Sequence, residues 1–278
     1  MKAPRLLLLL LLTGCSKPNL PEFNRLENIR ILAFQTNTPE VSPGDSVTIK
    51  PIISDITATS LSFSASACMD LGISHGASAT CQGNPSQIVL FTNKALSLPG
   101  VGESWTGIAD SFNVVVPTAP IIFMNHQPYE IYNGVNYLIE YTMTNNQGSS
   151  VTAIKRILVS DSAKTSKNTN PTTNTIYADG LPMNSLVLGV KSTLSTDLTV
   201  SSSETYILKN SNLESLSQTE KLTTTWFVSD GETKYYRSSG VDTNVFTAPG
   251  TSPVGRSFYL LVVTRDDRGG VSLIKKKF

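Results

Sequence analysis

The chain has 278 residues and a formal net charge of +1, and only 15% of its residues are charged. Charge so sparse and balanced supplies no phosphate-binding surface, which excludes nucleic acid as a partner. Ser, Thr and Asn are abundant, β-branched residues recur, and apolar stripes at helical period are hard to find, so the composition points to an all-β chain.

Met1-Lys2-Ala3-Pro4-Arg5 carries two positive charges, and Leu6 to Leu12 follow as an unbroken leucine run. A short basic stretch ahead of a short apolar one is the layout of a secretory signal. The run falls far below the ~20 residues that cross a bilayer core. Leu12-Thr13-Gly14-Cys15 resembles the lipobox of bacterial lipoproteins: an aliphatic residue, two small residues and a cysteine. The resemblance implies that residues 1–14 are a signal peptide and that the Cys15 thiol receives diacylglycerol. Because Ser16 is not aspartate, it also implies passage to the outer membrane. Each buried CH₂ of an acyl chain contributes ~0.8 kcal/mol, so two or three chains make a durable anchor. Residues 15–27 then read as the lipidated cysteine and a polar leash, stiffened by Pro18 and Pro21.

Removing the 14-residue signal leaves 264 residues, enough for two domains of ordinary size. Residues 28–160 read as the first. Ile29 to Phe34 is an apolar strand, Ser42-Pro43-Gly44-Asp45 a type I or II turn, and Ser46 to Ile53 a strand with Val47 and Ile49 on one face. Further runs lie at Leu61–Ala65, Ile88–Thr92 and Phe112–Val116. Tyr137, Ile139, Tyr141 and Met143 alternate with polar residues, Asn145 to Gly148 turns the chain, and Val151 to Val159 returns. About seven strands spaced by turns predict a sandwich. Cys68 and Cys81 are an even pair in an exported chain, which favours a disulfide. The rival is a metal site with Asp70 and His75, for which no Cys-x-x-Cys spacing exists.

Asp161 to Pro171 has no large apolar residue and ends in Asn-Pro, so it reads as a linker between separable domains. Residues 172–278 read as a second sandwich. Its expected strands are Ser185–Val190, Asp197–Val200, Thr205–Leu208 and Thr223–Asp230, the last with Trp226 and Val228 on one face. Phe258 to Val263 is continuously apolar, as in a strand buried on both faces. Asp266 to Gly270 turns the chain into an edge strand, Val271–Phe278, guarded by Lys275, Lys276 and Lys277.

Thr225-Trp226-Phe227-Val228-Ser229-Asp230-Gly231 resembles the central strand and turn of immunoglobulin-like and PKD-like domains. Val262 to Val271 is similar to their last hairpin, and Pro39 to Ile49 to their opening. In the first domain Leu61-Ser62-Phe63 stands where those modules carry a tryptophan. The whole mature chain resembles two-domain envelope lipoproteins of Gram-negative bacteria. That resemblance implies two tandem immunoglobulin-like β-sandwich domains and an envelope address, and it implies no activity.

Chemistry is sparse. His75 and His126 are the two histidines, and both sit in polar, loop-like sequence. Gly102-Glu103-Ser104-Trp105-Thr106 approaches a nucleophile elbow but lacks the closing glycine and the strand-to-helix context. Glu130 and Glu140 have no pattern that pairs them as a glycosidase requires. Asp266 and Asp267 could hold Ca²⁺ from a loop, or simply bond their own turn. Trp105, flanked by glycines, could stack on a partner or cap the sandwich. The sequence thus points to a lipid-anchored, non-catalytic envelope module that needs no cofactor and engages a protein or glycan. The alternative is a secreted hydrolase acting on envelope polysaccharide or peptidoglycan.

Overall fold

The computed structural model describes residues 23–72, 79–97, 105–252, 254 and 257–278. The chain is all-β, built as two β-sandwich modules. Module one contains β1 (Arg30–Thr36), β2 (Glu40–Val41), β3 (Ser46–Asp55), β4 (Ser60–Met69), β5 (Ile88–Ser97), β6 (Trp105–Ile108) and β7 (Phe112–Val115). Two short helices follow, α1 (Ala119–Ile122) and α2 (Pro128–Asn133), and then β8 (Val135–Asn145) and β9 (Ser150–Val159). One sheet runs β1-β3-β6 with β7 also on β3; the other runs β2-β9-β8-β4-β5. The period-two alternation of β8 buries Tyr137, Ile139, Tyr141 and Met143 between the sheets. Phe63, in β4, is buried and stacks on Tyr141 with ring centroids 5.7 Å apart. Gly44, at φ +84°, holds the third position of the 42–45 turn, a backbone that favours glycine.

Module two contains β10 (Ile176–Ala178), β11 (Leu181–Pro182), β12 (Lys191–Thr196), β13 (Thr205–Lys209), β14 (Ser215–Thr219) and β15 (Thr223–Val228). It continues with β16 (Glu232–Thr233), β17 (Arg237–Ser239), β18 (Asn244–Thr247), β19 (Tyr259–Arg265) and β20 (Val271–Lys277). Sheets β11-β10-β12-β18-β16 and β17-β15-β19-β20 enclose a core around Trp226, Phe246 and Phe258; β13 and β14 form a separate hairpin. Two expected strands are not strands. At 185–190, Val187, Leu188 and Val190 are exposed, and Gly189 at φ +70° turns the chain, so apolar residues there did not mean a buried face. At 197–200 the Asp197 carboxylate accepts from the Asn174 N–H, and a single 3-10 turn over Val200–Ser202 begins.

β19 shows why the modules are joined. Its alternate residues Leu260 and Val262 enter the core of module two, whereas Tyr259, Leu261 and Val263 face outward. Those outward residues, with Phe227 and Val271, pack on Leu26, Leu32, Ala33 and Ile52. The continuously apolar run is therefore buried on both faces because module one covers the second. The same contact explains β3, where neighbours Ile52 and Ile53 are both fully buried, Ile53 in the core of module one and Ile52 in the seam. A fully buried side chain of isoleucine or leucine size contributes about 1.5–3 kcal/mol, and the seam gathers eight large side chains and Ala33. A β-bulge in β1 leaves Leu32 out of the pairing with β3, and its carbonyl accepts instead from the Arg265 guanidinium of module two.

The connector and the leash both depart from the sequence expectation. Residues 161–171 lack large apolar side chains, yet Lys164 and Asn168 are buried and bonded to both modules. Asn170 donates to the Thr36 carbonyl and accepts from the Val271 N–H. Polar side chains thus tie the connector to the interior, where it meets both sandwiches at a buried junction. Of the leash at residues 15–27, the described part is likewise built in. Leu26 is fully buried, its N–H donates to the Val228 carbonyl, and Val228 donates to the Asn24 carbonyl. The chain thus pairs with β15 of module two before it enters module one.

Candidate functional site

Cys15, with the whole signal-like segment, lies outside the described residues, as do His75 and residues 101–104 of the elbow-like stretch. Trp105 is described through its backbone, which pairs with Asp55. Among the described residues no helix is long and apolar enough to cross a membrane. Cys68 and Cys81 form the expected disulfide, both fully buried beside Leu138. Glu140 clasps the same loop, accepting from the Cys81 N–H at 2.7 Å and from the Thr80 hydroxyl. Glu130 instead accepts from the Gln127 N–H at the start of α2 and lies 3.4 Å from His126 Nδ1. That backbone N–H, followed by His126, holds the Glu130 carboxyl below its usual range. The two glutamates do separate jobs.

Asp266 is buried and bonded to its own turn. One oxygen accepts from the N–H groups of Arg268 and Gly270, at 2.9 and 2.7 Å, and the other from Asn168. Asp267 is exposed. The structure thus places the pair in a self-bonded turn, and among the described residues no group of three or more His, Cys, Asp or Glu could hold a metal ion.

The turn is one corner of a buried ionic junction. Arg268 donates to Glu40 of module one at 2.9 Å and to Glu220 at 3.0 Å, while its guanidinium lies 4.3 Å from the Tyr206 ring centroid. Lys164 donates to the other Glu40 oxygen at 2.7 Å. The Glu40, Glu220 and Arg268 side chains are 0%, 2% and 7% exposed. Burial alone would raise the Glu40 carboxyl, but the bonds from Lys164 and Asn168 prevail and hold it below its usual value. Glu220 goes the other way: desolvation, together with the charges of Asp266 and Glu204, pushes it up to about 7. Lys155, buried with its ammonium on the Gly269 carbonyl, is brought down to about 8 by desolvation. The arrangement ties module one, the connector and module two together through buried side chains.

An open cleft of about 870 Å³ lies in module two along the edge strand β17. Its wall is held by backbone bonds. Trp226 N–H donates to the Tyr236 carbonyl, Gly240 N–H to the Leu222 carbonyl, and the Asn244 side chain bonds both the N–H and the carbonyl of Tyr235. So fixed, Tyr235 and Tyr236 stand about half exposed. The Lys234 ammonium is 4.9 Å from the Tyr235 ring centroid and the Arg237 guanidinium 5.9 Å from that of Tyr236. Lys221 also lines the cleft and is exposed. Sequence reasoning passed over this site, although Lys234-Tyr235-Tyr236-Arg237, two aromatics bracketed by cations, was a usable signal.

The fold and the cleft define a class: an all-β chain of two fused β-sandwich modules with an aromatic, cation-rich recess on the second. No family model matches the chain, and no curated protein does. Among solved structures, it is similar to three N-terminal domains of the bacteriophage RB49 Highly Immunogenic Outer Capsid protein, at 10% identity over 90% of this chain and 58% of that one, with a TM-score of 0.21. Spo0M, a sporulation control protein from Bacillus subtilis, matches at 10% identity over 90% of this chain and 89% of that one, TM-score 0.27. Red sea bream transglutaminase matches at 11% over 88% and 31%, TM-score 0.23. Likenesses this loose carry no argument about what the chain does.

Proposed function

We propose that the chain is a lipid-anchored protein of the bacterial outer membrane, with immunoglobulin-like modules, that acts by binding an envelope partner rather than by catalysis. The anchor reading rests on Leu12-Thr13-Gly14-Cys15. The binding reading is carried by the cleft, where two tyrosines and their cations stay exposed on the hydrogen-bonded loop between β16 and β17. Aromatic side chains with a polar tip, held in place before binding, supply contact area at little entropic cost.

Two measurements test it. Cys15→Ala is expected to release the protein from detergent-extractable membranes, and its retention there at wild-type level contradicts the anchor. Crosslinking in intact cells is expected to capture an envelope component with the wild type and to lose it with the Tyr235→Ala, Tyr236→Ala double variant. Turnover of an envelope polymer by the purified protein, abolished by replacing one acid or histidine, contradicts the binding reading.

A further inference from the structure

We infer that the cleft of module two docks on the anionic lipid headgroups of the very bilayer that holds the anchor. The inference rests on reading the cleft as the binding surface and names its occupant.

Where the chain enters the fold is the first support. Phe23 packs on Phe227 and Tyr236, with ring centroids 6.1 and 5.4 Å apart, and residues 24 to 26 bond to Val228. Tyr236 lines the cleft. Cys15 and Phe23 stand eight positions apart, and at ~3.5 Å per residue an acylated Cys15 keeps Phe23 within ~28 Å of the bilayer whatever the path of the chain between. The Phe23 carbonyl also accepts from Arg30 of module one, so the anchor keeps the seam of the two modules, and with it this edge of module two, close to the membrane.

Composition is the second. Phe23, Tyr235, Tyr236 and Val241 are about half exposed, and Val200 is 84% exposed. Tyrosine and phenylalanine suit the boundary between headgroups and acyl chains, and exposed valines beside them gain by entering it. An aliphatic side chain offers little to a hydroxylated sugar, so the valines favour lipid over a soluble glycan.

Charge is the third. Lys221, Lys234 and Arg237 line the cleft and are exposed. Glu220 is the one carboxylate in that lining, and it is turned inward onto Arg268. Glu232 and Asp242 are exposed nearby without lining the cleft. A chain of almost zero net charge thus presents one cationic recess beside its anchor. Each cation near an anionic membrane surface strengthens association about fivefold, so three give roughly a hundredfold.

The test uses the full lipidated chain in vesicles of phosphatidylcholine alone or mixed with phosphatidylglycerol. Hydrogen exchange of residues 232–241 is expected to slow about tenfold or more on the anionic vesicles only. High salt should reverse the slowing, and the Lys221→Gln, Lys234→Gln, Arg237→Gln variant should not show it. Equal exchange on both vesicles, or slowing that salt leaves unchanged, overturns the inference; the salt arm needs no variant. Slowing by soluble polygalacturonate and not by vesicles also overturns it, by assigning the cleft to a soluble acidic glycan. Capture of an envelope protein through the tyrosines, with no response to vesicles, removes the lipid and leaves the binding function standing.

Discussion

Arg268, in the last hairpin turn, donates to Glu40, in the second strand, across 2.9 Å and 228 residues of chain. The pair is buried at the place where module one, the connector and module two meet, and Lys164, Asn168 and Glu220 complete its bonds. Buried charges are tolerable only when every partner is present. The junction therefore exists only while both modules are folded and in register.

Removing one partner leaves the others stranded. Arg268→Met is expected to cost about 3–5 kcal/mol, since Glu40 and Glu220 each lose a charged donor. Denaturant unfolding measures it. The Glu40→Gln, Arg268→Met double variant should be destabilised by less than the sum of the two single changes, because the pair is coupled.

Glu220 gives the junction a pH dependence. Its carboxyl is held up to about 7 from an ordinary 4.5, so between those values the folded chain keeps a proton that the unfolded chain has released. Its contribution is present at the acid end and is lost as pH rises through about 7. Thermal melts should show the wild type losing stability relative to Glu220→Gln as pH is raised across that window. A constant difference between the two proteins contradicts the assignment.

The seam between modules is a second handle. Leu261 is fully buried among residues of both modules. Leu261→Ala should cost about 2–5 kcal/mol. Its effect should reach signals from both modules equally in an unfolding experiment.

Much of the fold was legible because period-two patterns report a buried face wherever one exists. The alternation of Tyr137 to Met143 and the two-faced burial of 258–263 both appear in the structure. What covers the second face was not legible, because an apolar run says that a face is buried and never by what. The error at 185–190 has the same root: exposed valines look like buried ones in a sequence. The burial of the connector was not legible because it is carried by Lys164 and Asn168, residue types that are ordinarily solvated. The cleft was legible only as two adjacent tyrosines between cations, Lys234 to Arg237, in the short loop between β16 and β17, whereas the glycine-flanked Trp105 belongs to β6 of module one.

The disulfide acts locally. Replacing Cys68 and Cys81 by alanine opens a loop of sequence separation 13 and should cost about 3 kcal/mol. In the native, non-reduced protein neither thiol should accept a maleimide.

Calorimetry of the mature protein tests the fusion of the two modules most directly. One transition is expected, with the calorimetric and van't Hoff enthalpies in a ratio of about one. A fragment beginning at residue 172, with Phe227, Tyr259, Leu261 and Val263 uncovered, should fail to fold. Two resolved transitions, or a fragment that melts cooperatively with Trp226 reporting a buried core, would show that the modules are independent and that the Glu40–Arg268 junction does not join them.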